Sequence, residues 1–200
     1  MNLRNFGRAL MVAAVSLTLA ACGINSVPAA EEEAKAKWAD VEAQFQRRAN
    51  LIPNLAEVAQ GAAENERGIL TEVTEARARA TAINVTADDL DDPAKMEQFA
   101  AAQGQLSQGL GRLLASFEAY PQIQSNQNFL ALQSQLEGTE NRIAVAIRDY
   151  NESVRKYNTT IRTFPDTIGA NLIHGAEPLV PYSAVTEGAE VAPTLDLTSN

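Results

Sequence analysis

Three carboxylates are the residues in this chain best suited to moving a proton. Glu137 and Glu140 stand three apart and would share a helix face, and Glu118 precedes a Tyr-Pro pair. Paired acids can divide acid and base work when their surroundings push their pKa values apart. Acids beside a helix seam more often cap or pair with a cation, here Arg77, Arg142 or Arg148, and that is the expectation for this set. His174 is the only histidine. A nucleophile activated by histidine would therefore have one candidate base, in the chain's aperiodic C-terminal stretch. One histidine supplies neither the two Glu-x-x-His motifs of a di-iron bundle nor a Cys/His zinc site. The sequence holds no phosphate loop and no dinucleotide fingerprint. Asp88-Asp89 and Asp91-Asp92 lack the ordered spacing of a calcium loop and read as solvated acids. The expectation is a protein without catalytic residues, cofactor or metal.

The one cysteine carries a different chemistry. Cys22 closes the run Leu19-Ala20-Ala21-Cys22, after a basic start (Arg4, Arg8) and an apolar stretch from Ala9 to Ala21. That order is a secretory leader ending in a bacterial lipobox, and the stretch is shorter than the ~20 residues that span a bilayer as a helix. The alternative is an uncleaved N-terminal membrane helix. Cleavage before Cys22 would free its amine, and two or more acyl chains there would hold the protein to a membrane. Gly23 stands where Asp would signal inner-membrane retention in some Gram-negative bacteria. It leaves the outer membrane open and tilts the expectation towards it. The formal charge is -9, and the leader would take away Arg4 and Arg8 with no acid. A surface this acidic repels phosphate backbones and anionic headgroups, so nucleic acid is not an expected partner. The membrane link should rest on acyl chains. With the only thiol acylated, stability must come from packing.

These features would be positioned by helices. From Ala30 to Ile83 an apolar stripe recurs every three or four residues, through Trp38, Phe45, Ile52, Leu55, Ile69, Val73 and Ala80. Only Arg48 and Glu66 break it. Both are expected to lay their stems on the seam and send their charges to water. The stripe keeps its phase across Pro53, which favours one long helix kinked there over two helices. Asp92-Pro93 is a helix start. The next stripe, Met96, Phe99, Gln103, Leu106, Leu110, Leu113, Phe117 and Tyr120, stops at Pro121. Gly104, Gly109 and Gly111 lie in it, and such small residues can let a neighbouring helix approach. Ser125 is the expected cap of a third long helix, running from Phe129 to Ile161. A short helical piece is expected over 166–173.

The predicted fold is all-α: an elongated up-and-down bundle resembling a four-helix bundle, with three long helices and a short C-terminal piece. The predicted organisation is a leader over 1–21, a tether over 22–29, a bundle over 30–173 and an acidic, disordered tail over 174–200.

Placed on these helices, several segments become recognisable. Arg47-Arg48-Ala49-Asn50-Leu51-Ile52-Pro53-Asn54-Leu55 resembles the hallmark of the LemA family, and so does Thr74-Glu75-Ala76-Arg77. Glu118-Ala119-Tyr120-Pro121, Glu137 to Ile143, Tyr150-Asn151, Tyr157-Asn158 and Phe164-Pro165 follow in the family's order. The resemblance covers about Trp38 to Pro165. It implies an elongated helical bundle at the cell envelope with no established enzymatic activity. Some relatives are associated with envelope peptidases, others with the organisation of membrane compartments. Many keep an N-terminal membrane helix, and the lipobox departs from that pattern.

Asn50, Asn54, Asn141, Asn151 and Asn158 are poor interior helix formers, so they are expected to hydrogen-bond across helices. Asn54 could satisfy a group freed by Pro53. Tyr150 and Tyr157, seven apart, would share a face with Asn151 and Asn158 beside them. Partner recognition at Asn50, Pro53 and Asn54 is the functional alternative. Two functions suit the chain. One is a non-catalytic, acyl-anchored scaffold for envelope proteins, a membrane peptidase among the partners the resemblance implies. The other is a self-associating structural or membrane-organising protein, with Ile52 and Val73 at the contact between copies.

Overall fold

The computed structural model describes residues 3–58 and 63–184. The described chain is all-α, as the periodicity predicts, with no strand among the described residues. Helix α1 runs Leu3–Val58, α2 Ala63–Ala82, α3 Pro93–Ser116, α4 Pro121–Gln124, α5 Gln127–Thr160 and α6 Asp166–Gly169, the last continued by a π-helical turn over Ala170–His174. Cross-helix pairs give the direction of travel. Arg48 meets Glu140 and Lys156 meets Glu33, so α1 and α5 are antiparallel. Arg112 pairs with Glu72 and Gln103 reaches the Ala80 carbonyl, so α2 and α3 are antiparallel as well. The four long helices therefore run up, down, up and down.

The hairpin corrects the predicted first helix. Pro53 lies inside α1, which ends at Val58, and α2, from Ala63, packs back against it. Ile52 and Leu55 then share a buried cluster with Val73, Ala76 and Ala80. A stripe with unbroken phase suits a straight helix and a hairpin equally, because both helices bury it in the same core. There are consequently four long helices, not three. Ile52 and Val73 are 2% and 1% exposed, so both belong to this intramolecular core rather than to a contact between copies.

Two further boundaries differ from expectation. Residues 22–29 are helical, continuous with the rest of α1. Val27 and Ala30 are buried with Val154, Tyr157 and Ile161 of α5, and Ser26 donates to Asp166 Oδ1 at 2.7 Å. This packing holds Pro28 within the helix where an extended tether was expected. The tail also docks over its described part. Leu179 and Tyr182 are buried in the same cluster, and Val180 N donates to the Leu90 carbonyl at 2.8 Å. The expectation of disorder for 185–200 lies outside the described residues.

Local signals explain the helix ends. Asp92 Oδ1 accepts from the amides of Ala94 and Lys95, with Pro93 in the first turn, as the sequence predicts. The cap of α5 is Asn126 rather than Ser125, its side chain accepting from Asn128 N. Pro121 opens the short α4 after α3 has tightened through a 3-10 turn over Phe117–Ala119.

The core is divided into two. One cluster joins the N-terminal part of α1 to the C-terminal part of α5 and the tail. The other joins α1 beyond Leu51 to α2, α3 and the start of α5. Arg48 lies at the junction.

Candidate functional site

Arg48 is 1% exposed, with its charged head inside the bundle. This corrects the expectation that its charge reaches water. Its stem cannot slide outwards because helices α3 and α5 close over it. Nη1 donates to Ser107 Oγ at 2.6 Å and to Glu140 Oε1 at 3.1 Å. Nη2 donates to Gln103 Oε1 at 2.6 Å and to the Gln103 carbonyl at 3.2 Å. Nε is buried without a partner, and the guanidinium sits 5.1 Å from the Phe45 ring centroid. A fixed fork of donors suits such a seat better than an ammonium would. Glu140 brings its carboxylate from the surface, with 47% of its side chain exposed.

A cavity of about 340 Å³ opens beside this group, between α1, α3 and α5. Phe45, Arg48, Gln103, Ser107, Glu140 and Tyr182 contribute to its wall. Tyr182 comes from the tail and packs against Phe45 and Phe99, with centroids at 5.9 and 6.4 Å. Burial pushes its phenol up to about 12, while Arg48 pulls it down and Glu140 pushes it up. The tail thus forms one wall of the arginine site.

The tail is also bonded through its main chain. Asn151 donates from Nδ2 to the Tyr182 carbonyl at 2.9 Å and accepts from Tyr182 N at 2.8 Å. Asn158, two turns on, does the same with Leu179, at 2.8 and 2.9 Å. Tyr150 donates its hydroxyl to the Val180 carbonyl at 2.8 Å, and burial raises its phenol pKa. Each asparagine offers one donor and one acceptor to one residue's amide and carbonyl, as a strand partner would. These bonds read backbone, while the buried side chains of Leu179 and Tyr182 pack into the core. Tyr157 is buried on the same face, and burial raises its pKa too, with the Glu31 charge adding to the effect.

The other expected residues fall elsewhere. Asn50 is exposed and accepts from Gln46 within α1. Pro53, Asn54 and Asn141 are exposed. The Ala49 carbonyl, which Pro53 deprives of its helical donor, accepts from Arg77 Nε at 2.7 Å, so Arg77 fills the role considered for Asn54. Asn151 and Asn158 bind the tail rather than a neighbouring helix. The three carboxylates do not assemble: Glu140 pairs with Arg48, Glu137 accepts from Gln133 on the exposed face, and Glu118 is exposed. Arg142 bonds Gln44 and Thr139, and Arg148 pairs with Asp149. In the acidic loop Asp89 accepts from Lys95 and Thr86, which lowers its carboxyl to about 2. Among the described residues no group of three or more His, Cys, Asp or Glu could hold a metal ion.

Gln103, Ser107 and Tyr182 were not singled out from the sequence as site residues. Gln103 carried a signal, as a polar residue in an apolar stripe. Tyr182 carried none, because an extended segment has no periodicity to read.

Comparison with known proteins follows the same residues. The chain matches the LemA family over residues 37–196, which include Arg48, Glu140 and both clamping asparagines. It is 28% identical over 138 residues to the magnetosome protein MamQ of Magnetospirillum gryphiswaldense, covering 61% of this chain and 51% of that relative. It is also 28% identical over 143 residues to magnetosome proteins MamQ 1 and MamQ 2 of Paramagnetospirillum magneticum, covering 64% of this chain and 53% of each. The chain spans about half the length of these curated relatives. The arginine layer, the clamped tail and the four-helix frame are thus features of a chain that belongs to the LemA family.

Proposed function

We propose that this protein is a membrane-anchored lipoprotein of the bacterial cell envelope that serves as a non-catalytic scaffold for other envelope proteins. The observation that carries the reading is the asparagine clamp. The bundle receives an extended segment through main-chain bonds to Leu179 and Tyr182. A frame that fixes a peptide by its backbone, beside polar side chains already engaged with one another, suits presentation better than turnover. Cys22 supplies the anchor through acylation, with the outer membrane favoured. No described helix is long and apolar enough to cross a membrane.

The alternative is a membrane-organising protein whose copies associate with one another, considered because the chain is similar to proteins named for the magnetosome. In-cell photo-crosslinking separates the two. A photoreactive residue at exposed Asn54 and another at exposed Ser183 report on the top of the bundle and on the tail. One foreign envelope protein recovered from both positions supports the scaffold, and crosslinks only to further copies support assembly. Intact-mass measurement of the membrane-extracted chain tests the anchor. A mass that begins at Met1 without acyl groups ends the lipoprotein reading.

A further inference from the structure

Of the six large apolar side chains exposed among the described residues, four gather at one end of the bundle. Phe164 is 71% exposed, Ile168 46%, Leu172 81% and Ile173 59%. Ile168 and Leu172 lie four apart through α6 and the π-helical turn, and Phe164 stands in the turn just before α6. Exposed apolar residues scattered singly need no explanation, but four in ten positions do.

Their place explains them. The Ser26–Asp166 bond ties α6 to α1 at the very start of the bundle. Cys22 is four residues before Ser26 on the same helix, a rise of ~6 Å. The apolar stretch Ala9 to Ala21 continues from there. Whether the chain is held by acyl groups or by that stretch, the bilayer surface begins about a helical turn from the near end of this apolar row, at Asp166. We infer that Phe164, Ile168, Leu172 and Ile173 form a second membrane contact, a shallow apolar wedge that enters the interfacial region of the bilayer beside the N-terminal anchor. This rests on the proposed membrane anchoring.

The chemistry of the wedge defines the lipid it takes. No lysine or arginine follows Arg162 in the sequence, and the molecule as a whole is acidic. The contact therefore draws on burial of apolar surface and not on anionic headgroups, so it suits zwitterionic lipid and tolerates salt. A wedge fixed to α1 also sets orientation. Two points of attachment hold the bundle at a defined tilt, where an anchor alone would let it swing.

Depth-dependent fluorescence tests the inference on the full, membrane-extracted chain. Leu172→Trp places an indole in the wedge, and Leu130→Trp places one at the opposite end, where Leu130 is 51% exposed. Trp38, 1% exposed, provides the same background in every sample. The proteins are reconstituted into phosphatidylcholine–phosphatidylethanolamine vesicles with and without brominated acyl chains. The expected result is severalfold quenching of the added signal for Leu172→Trp, in low and in high salt, and none for Leu130→Trp. Phe164→Trp should behave like Leu172→Trp and guards against a local fault in either variant. Chain that floats with the vesicles but shows no quenching at either wedge position overturns the wedge and leaves the anchor standing. Chain that does not float overturns the anchoring, and the wedge with it. Shielding of the wedge indole in detergent that grows with protein concentration identifies a second copy as the occupant and also overturns the proposal.

Discussion

Removing Arg48 and removing Glu140 are unequal perturbations, although the two form one ion pair. Arg48→Ala leaves Gln103 Oε1 and the Ser107 hydroxyl without their donor and opens a void against Phe45. Unpaired buried polar groups and the void together cost about 2–5 kcal/mol. Glu140→Gln leaves Arg48 its bonds to Ser107 and Gln103, and the replaced carboxylate already meets water. That change should cost about 1 kcal/mol. Urea denaturation of both variants measures the contrast, and equal losses would show that the pair itself holds the layer. The tail tyrosine adds a pH dependence. Burial raises the Tyr182 phenol from 10.0 to about 12. A folded value above the unfolded one means stability is whole below pH 10 and declines as pH climbs towards 12, because only the unfolded chain ionises there. Each unit of offset is worth ~1.4 kcal/mol. Phenolate absorbance should show Tyr182→Phe removing a late-titrating group. Unchanged stability across that window would contradict the burial. The arginine was partly legible beforehand, since it broke an apolar stripe. Its partners lie 55 to 92 residues away on other helices, so local pattern could not tell a buried head from a solvated one.

At the scale of elements, the α2–α3 contact separates two glycines that look alike in sequence. A Cβ on Gly109 would lie 3.3 Å from Val73 Cγ2, and Val73 is 1% exposed with little room to yield. A Cβ on Gly111 meets nothing within 4 Å. Alanine is favoured over glycine in a helix by about 1 kcal/mol. Gly111→Ala should therefore stabilise by roughly that amount. Gly109→Ala should gain less or lose outright as the helices are pushed apart. Thermal unfolding of the two variants gives the order, and a larger gain for Gly109→Ala would mean the helices are not in close contact there. Helix existence and most ends were legible, because capping chemistry such as Asp92-Pro93 is local. The reversal after Val58 was not, since periodicity reports which face is buried and not which way the chain goes next. The same limit hid the use of Asn151 and Asn158. Their spacing of seven announces a shared face, but the partner they hold is an extended segment that repeats nothing.

The whole molecule is two apolar cores on either side of a polar layer, and the tail completes one of them. Near the N-terminal end of the bundle, α2 has not yet returned and α3 has only begun, so α1 and α5 would leave Phe45, Phe99 and Tyr150 partly uncovered. Leu179 and Tyr182 fill that place. Ending the chain at Gly175 should therefore affect one core far more than the other. Hydrogen exchange is expected to quicken across α5 from Tyr150 to Ile161, while α2 and the second half of α3 keep their protection. Burial of side chains such as Leu179 and Tyr182 is worth roughly 1.5–3 kcal/mol each. A double variant, Asn151→Ala with Asn158→Ala, strips the main-chain clamp and leaves these apolar contacts free to form. If burial holds the tail, the double variant loses less than the truncation and its tail stays protected from proteolysis near Tyr182. If the clamp holds it, the two variants lose equally and cleavage at Tyr182 becomes as fast as in an unfolded chain. The second outcome would make the bundle a general receiver of extended backbone, into which a partner's segment could exchange for its own.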